Sequence, residues 1–203
     1  MIALIDYGSG NIRSVHNALR HHEANVELVS NPADLERASA VVLPGVGAFG
    51  DCVRGLQERQ LWDPIRAWLD SGKPFFGICV GYQLLFDGSE ESPGARGFGY
   101  FGGQVKKFTT PGLKVPQIGW NQLDLTPPSH PLWAGLPSRP HVYFVHSYFP
   151  DPADPSIVTS RTEYGETFAA SAARNNVAGV QFHPEKSQEV GLGILRNFIR
   201  SAA

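Results

Sequence analysis

The chain has 203 residues, of which 42% are hydrophobic, and carries 19 acidic against 17 lysine or arginine side chains for a formal charge of −2. That length supports one domain, residues 1–203, with a core large enough to need no disulfides. The near-neutral balance and the lack of any Lys/Arg run argue against nucleic acid or an anionic membrane as a partner, and no apolar run approaches a membrane span.

Ile2-Ala3-Leu4-Ile5 reads as a first strand, beginning so near Met1 that no secretory leader is expected. Gly8-Ser9-Gly10-Asn11 lacks the third glycine of a dinucleotide fingerprint, so Asn11 reads as a helix N-cap, with Ile12, Val15 and Leu19 on one face of the helix. Val26–Val29 and Ala40–Leu43 are the next strands. Pro44-Gly45-Val46-Gly47-Ala48 follows, either a plain strand-to-helix turn or a loop whose glycines let backbone N–H groups turn towards a ligand. Leu61, Ile65, Trp68 and Leu69 mark a further helical face, and Phe75–Ile78 a buried strand. Strands alternating with helices imply a parallel sheet covered on both faces.

Gly77-Ile78-Cys79-Val80-Gly81 then places a thiol between strand and helix, since Tyr82-Gln83-Leu84-Leu85-Phe86 resumes apolar positions at helical spacing. Glycines two before and two after match a nucleophile elbow, and a helix's first turn favours thiolate. A small buried cysteine is the competing reading of these five residues.

From Gly97 to Ser171 the composition shifts to Gly, Pro and aromatic residues, with short alternating runs such as Gln104–Phe108 and Val142–Val145 that suggest antiparallel strands. Pro127–Pro131 and Asp151–Pro155 read as loops. After the strand-like Val177–Val180 comes Gln181-Phe182-His183-Pro184-Glu185. Proline biases its predecessor to extended backbone, where residues two apart share a side, so Glu185 can orient the His183 imidazole. Together with the thiol elbow this reads as a Cys79-His183-Glu185 triad. Val190, Ile194, Leu195 and Phe198 mark a final helix.

Cys52 and Cys79 are the two cysteines, and a disulfide would silence the nucleophile, so a reducing cytoplasmic compartment is expected. Cys52 reads as core, and His16, His21, His22, His130 and His141 as surface or loop residues. No zinc spacing and no phosphate loop occurs, so neither a metal nor a cofactor is expected.

Asp6-Tyr7-Gly8-Ser9-Gly10-Asn11, Pro44 to Asp51, the elbow through Gln83, Gly119-Trp120-Asn121, Phe144 to Tyr148 and His183 to Ser187 together resemble the class I (triad) glutamine amidotransferases. More narrowly, they are similar to the glutaminase subunits of imidazole glycerol phosphate synthases. The resemblance implies an α/β, flavodoxin-like fold with a mixed, mostly parallel sheet and helices on both faces. It implies glutamine hydrolysis in a heterodimer with a cyclase subunit, which receives the ammonia in histidine biosynthesis. Gly47 and Val80 match its oxyanion positions, Gln83 and Glu91 its grip on the substrate's amino-acid end, and backbone groups of Ser147 and Tyr148 further glutamine contacts. Trp120 and Lys186 match its partner-facing side, Lys186 docking to an acidic group on the cyclase. His146 lies in a stretch that resembles the wall of the glutamine site.

Overall fold

The computed structural model describes residues 1–127 and 129–202; Pro128, inside the expected Pro127–Pro131 loop, and Ala203 lie outside the described residues. β1 (Ile2–Ile5), β3 (Ala40–Gly45) and β4 (Phe75–Cys79) are buried at every position, which is why their sequences run apolar without alternation; β2 (Val26–Val29) keeps only its end residues buried. The chain continues through β5 (Gly88–Ser89), β6 (Gly103–Lys107), β7 (Gln117–Gln122), β8 (Asp124–Leu125), β9 (His141–His146), β10 (Tyr148–Pro152), β11 (Val158–Glu163), β12 (Thr167–Arg174) and β13 (Val177–Val180).

Eight strands form one sheet in the order β2-β1-β3-β4-β13-β12-β11-β8. The pairings from β2 to β13 are parallel and those from β13 to β8 antiparallel. The sheet is therefore mixed, with its parallel part in the flavodoxin-like order. β10, β6 and β5 make a small second sheet, and β7 with β9 an antiparallel ribbon.

The helices are α1 (Ile12–Arg20), α2 (Pro32–Leu35), α3 (Phe49–Glu58), α4 (Trp62–Asp70), α5 (Val80–Gln83) and α6 (Gln188–Ser201). Phe76 of β4 stacks on Phe198 of α6 with ring centroids 5.1 Å apart, while its neighbour Phe75 points to the opposite face. Both rings are fully buried, so each face of the sheet carries a covering layer. Among the described residues no helix is long and apolar enough to cross a membrane.

Several elements differ from the sequence reading. Helix α3 was not foreseen, although Phe49, Cys52, Val53 and Leu56 are buried at helical spacing; two glycines interrupt the run. One of them, Gly55, packs so close to Tyr7 that an added Cβ would stand 3.1 Å from its carbonyl oxygen. Asn11 occupies the N-cap of α1 but its side chain makes no capping bond. The helix after the elbow is a single turn, α5, and Leu84 to Phe86 continue in tight turns. Asp151 and Pro152 close β10 rather than lying in a loop, paired with Gln104 and Gly103.

Candidate active site

Parallel strands deliver their carboxyl ends to one edge of the sheet, where sites of α/β folds form. Gly45 of β3 lies opposite Cys79 of β4, and Ile78 lies opposite Val180 of β13. The loop after β3, the thiol and the residues following β13 therefore meet at one edge.

The chain turns sharply at Cys79, which has φ 56° and ψ −109°, a left-handed conformation that L-residues adopt at a cost of about 1–3 kcal/mol. The flanking glycines make the turn possible. A Cβ on Gly77 would stand 2.6 Å from the Gly81 carbonyl oxygen, and one on Gly81 would stand 1.9 Å from that of Leu43. In the loop after β3 only Gly47 is left-handed, at φ +91°. Gly45 is glycine for a different reason, since a Cβ there would press on Val80 and the Gly81 nitrogen at 2.8 and 2.9 Å.

His183 Nδ1 and Glu185 Oε1 are 2.8 Å apart, with both side chains almost fully enclosed. The expected contact forms, but by a different geometry. Pro184 opens a 3-10 turn over Pro184–Lys186, and that turn, not extended backbone, folds the carboxylate back onto the ring. Burial pushes the His183 imidazole down, but contacts with Cys79 and Glu185 and their negative charge outweigh it and hold it up at about 10. His183 Nε2 makes no well-formed hydrogen bond among the described residues. It is the ring nitrogen that Glu185 does not engage, and hydrogen bonds in active sites commonly tighten only once substrate binds.

Cys79 and His183 border a cleft of about 570 Å³. Cys79, His183, Gly47, Val80, Gln83, Glu91, Ser147, Tyr148 and Lys186 all line it. Glu185 stands behind His183, out of the cleft. Trp120 lies outside it too, bordering a neighbouring hollow with His141 and Ser187. Trp120 packs edge-on to Tyr143 at 6.1 Å, and Lys186 Nζ sits 5.7 Å over the same ring. The two expected partner-facing residues are thus joined through one tyrosine, and Ile118 and Trp120 expose 63% and 48% of their surface on the same face of β7.

Several of the expected ligand-binding residues also bond within the protein. The Tyr148 carbonyl accepts from Gln83 Nε2 at 3.0 Å and lies 2.8 Å from His146 Nδ1, while the Ser147 carbonyl accepts the Phe108 N–H. Those carbonyls are thus engaged within the protein. Glu91 lines the cleft and also accepts the Phe49 N–H at 2.8 Å, capping α3, while Ser92 accepts the next N–H, from Gly50.

Further residues meet here, His146 in the cleft wall as its stretch implied. His146 is buried, which lowers its imidazole to about 4 and keeps it neutral. Gln181 is fully buried, with Nε2 3.7 Å from Cys79 Sγ. The signal for it was available: it stands two residues before His183, the interval that puts side chains on one side of extended chain. Ser9 Oγ donates to the Val46 carbonyl at 2.5 Å, and Cys52 Sγ lies 3.6 Å from the same oxygen. Cys52 is fully buried, as expected, yet it touches the loop that lines the cleft.

A strained thiol elbow, a carboxylate-oriented imidazole and a cleft at the carboxyl edge of a 2-1-3-4 sheet define a class of enzyme. The chain belongs to the class-I glutamine amidotransferases, whose family model matches residues 3–202. It is 48% identical to the imidazole glycerol phosphate synthase subunit HisH of Microcystis aeruginosa, over 98% of this chain and 95% of that one. The subunit of the same name from Thermosynechococcus vestitus is 51% identical over 98% of this chain and 95% of its own. A solved glutamine amidotransferase superposes with TM-score 0.78 at 20% identity, covering 100% and 99% of the two chains. PurLQS from Thermotoga maritima does so with 0.77 at 18% identity, covering 100% and 98%; both likenesses concern the fold.

Proposed function

We propose that this chain is the glutaminase subunit of an imidazole glycerol phosphate synthase, with Cys79, His183 and Glu185 as its triad. The observation that carries the reading is the 2.8 Å His183–Glu185 contact standing behind a strained, cleft-lining Cys79. A primary amide is a poor electrophile, and a thiolate splits its hydrolysis into two easier steps. Cys79 Sγ attacks the side-chain carbonyl of glutamine, and the N–H groups of Gly47 and Val80 receive the developing oxyanion. His183 gives its proton to the departing nitrogen, which leaves as ammonia and a thioester. The imidazole, now neutral, takes a proton from water, whose oxygen displaces the sulfur and releases glutamate. Glu185 keeps Nδ1–H in place throughout. Gln83 and Glu91 hold the ammonium and carboxylate end of the substrate together with backbone N–H groups of Ser147 and Tyr148. The whole of residues 1–203 serves as one amidotransferase domain.

The ammonia is used by a cyclase subunit that docks on the face carrying Trp120 and Lys186. An exposed apolar pair beside the Lys186 ammonium suits a partner that offers apolar surface and a carboxylate. Lys186→Glu is expected to weaken association with the cyclase or to uncouple the two activities, leaving the fold unchanged. A binding titration with unaltered affinity, together with unaltered coupling, would remove Lys186 from this surface.

Ammonia made without an acceptor is wasted, and the loop after β3 is where a gate would sit. The Val46 carbonyl is tied to Ser9 and Cys52, which fixes one orientation of the Val46–Gly47 peptide. Turning that peptide would break those bonds and re-aim the Gly47 N–H, and one oxyanion donor is worth about 10²–10³ in rate. Partner and acceptor need only favour the turned state by a few kcal/mol. Ammonia release from glutamine should therefore be slow for the isolated chain and rise by about that factor in the complex with acceptor nucleotide. Equal rates would remove the gate, and a cyclase that cannot use the ammonia would overturn the assignment of partner.

A further inference from the structure

We propose that Gln181 is a further catalytic residue, its carboxamide N–H holding the Cys79 sulfur as a thiolate. The inference rests on the reading of Cys79 as nucleophile and adds the group that prepares it. Gln181 Nε2 lies 3.7 Å from Cys79 Sγ, within reach of a hydrogen bond to sulfur, and the side chain is fully buried.

An amide can usually be turned end for end without visible change, so its polarity has to be argued from its partners. Here it is dictated. The Tyr148 carbonyl can only accept, so the end of Gln83 that meets it at 3.0 Å must be Nε2. The second proton of that nitrogen meets Gln181 at 3.0 Å, so the end of Gln181 there must be Oε1. The other end, facing the sulfur, is then Nε2, a donor. A neutral thiol is a weak acceptor, whereas a thiolate is a charged one, and bonds to charged groups are about twice as strong. The interaction therefore grows as the sulfur ionises, and it grows again where the sulfur bears charge on leaving the thioester.

The same chain of bonds has a second end. With both protons of its amide spent inside the protein, Gln83 has only Oε1 to present to the cleft, and an acceptor there suits the ammonium of an amino-acid substrate. Donation from that ammonium would polarise Gln83, strengthen its N–H bond to Gln181 and in turn the bond to sulfur. Occupancy of the amino-acid end is thus transmitted to the nucleophile through two side chains.

Gln181→Met keeps the length of the side chain and removes the donor. In a folded variant, kcat for glutamine should fall about 10- to 100-fold with KM little changed, the factor expected for one hydrogen bond to a charged group. Alkylation of Cys79 by iodoacetamide, followed on its own peptide by mass spectrometry, should slow by a similar factor. A Gln181→Met variant with native kcat and native Cys79 alkylation would overturn the proposal. Should that variant not fold, the unaltered protein gives the answer. In protein with nitrogen-labelled glutamine side chains, the carboxamide resonance showing through-space contacts to Cys79 should move when the thiol is alkylated, and no response would equally overturn it. Loss of activity in Cys79→Ala separates this outcome from failure of the nucleophile itself.

Discussion

Cys79→Ala is expected to release no ammonia from glutamine, either alone or with its partner, while the complex keeps making product from added ammonium salts. The first half follows from removing the sulfur assigned as the atom that forms the acyl bond. Oriented water and an intact oxyanion site can still give some rate over solution in triad enzymes, but that residue is a small remnant of the native turnover. The second half follows from the division of labour, because the acceptor chemistry belongs to the cyclase. The substitution also relieves nothing essential to the fold. Alanine, like cysteine, is not branched at Cβ, and the left-handed turn is permitted by Gly77 and Gly81 rather than by the thiol. A circular dichroism spectrum and thermal midpoint like those of the native chain should accompany the loss. Glutamine-dependent synthesis by a Cys79→Ala complex would show that the nucleophile has been misassigned.

The second large effect is at the imidazole. His183→Ala should cost about 10⁶ in turnover, comparable with loss of the general base in other triads. Glu185→Gln should cost no more than about 10⁴, because the carboxylate orients the ring and moves no proton itself. Its more telling signature is in pH. His183 is raised from 6.5 to about 10 although burial works against it, so the partners that raise it, Cys79 and Glu185, are decisive. A group raised on folding stabilises the protein fully below its unfolded value and loses that contribution as pH climbs through its folded one. Native stability should therefore decline between about 6.5 and about 10 on account of this residue. Glu185→Gln removes one of the raising charges, so the alkaline limb of kcat/KM, where the imidazole can no longer protonate the departing nitrogen, should move to lower pH. An alkaline limb that stays in place in Glu185→Gln would separate the carboxylate from His183 function.

The elements around the elbow were legible because their constraints are local. Glycine two before and two after Cys79 is required by backbone atoms within the same turn and by β3 beside it. β1 and β4 announce themselves as unbroken apolar runs because both their faces are covered. The middle of the chain was harder to read, since β6 is completed by β10 and β7 by β9, partners whose choice depends on pairings no short window contains. Helix α3 was hidden because Gly50 and Gly55 are set by contacts with Ser92 and Tyr7, against local helix preference. The His183–Glu185 pairing is a different case: the right contact was inferred from an extended geometry that the 3-10 turn replaces. Gln181 was open to the same reasoning, since it stands two residues before His183, the interval that puts side chains on one side of extended chain.

The place of β13 in the sheet also sets when this enzyme can come into being. Phe75 to Ile78 of β4 pair on one side with β3, close by in sequence, and on the other with Val177 to Val180, about a hundred residues later. Until β13 inserts, β4 is an open edge carrying two phenylalanines and an isoleucine, the kind of surface that recruits stray strands. Closing such a distant pairing is slow compared with the local steps that build the first βαβ units. A ribosome that has released β4 therefore holds a sheet half whose thiol has no base, because His183 arrives only with the strand that seals the edge. A chain at that stage is not expected to hydrolyse glutamine, and its unpaired β4 edge is the surface most exposed to aggregation until the later strand is made.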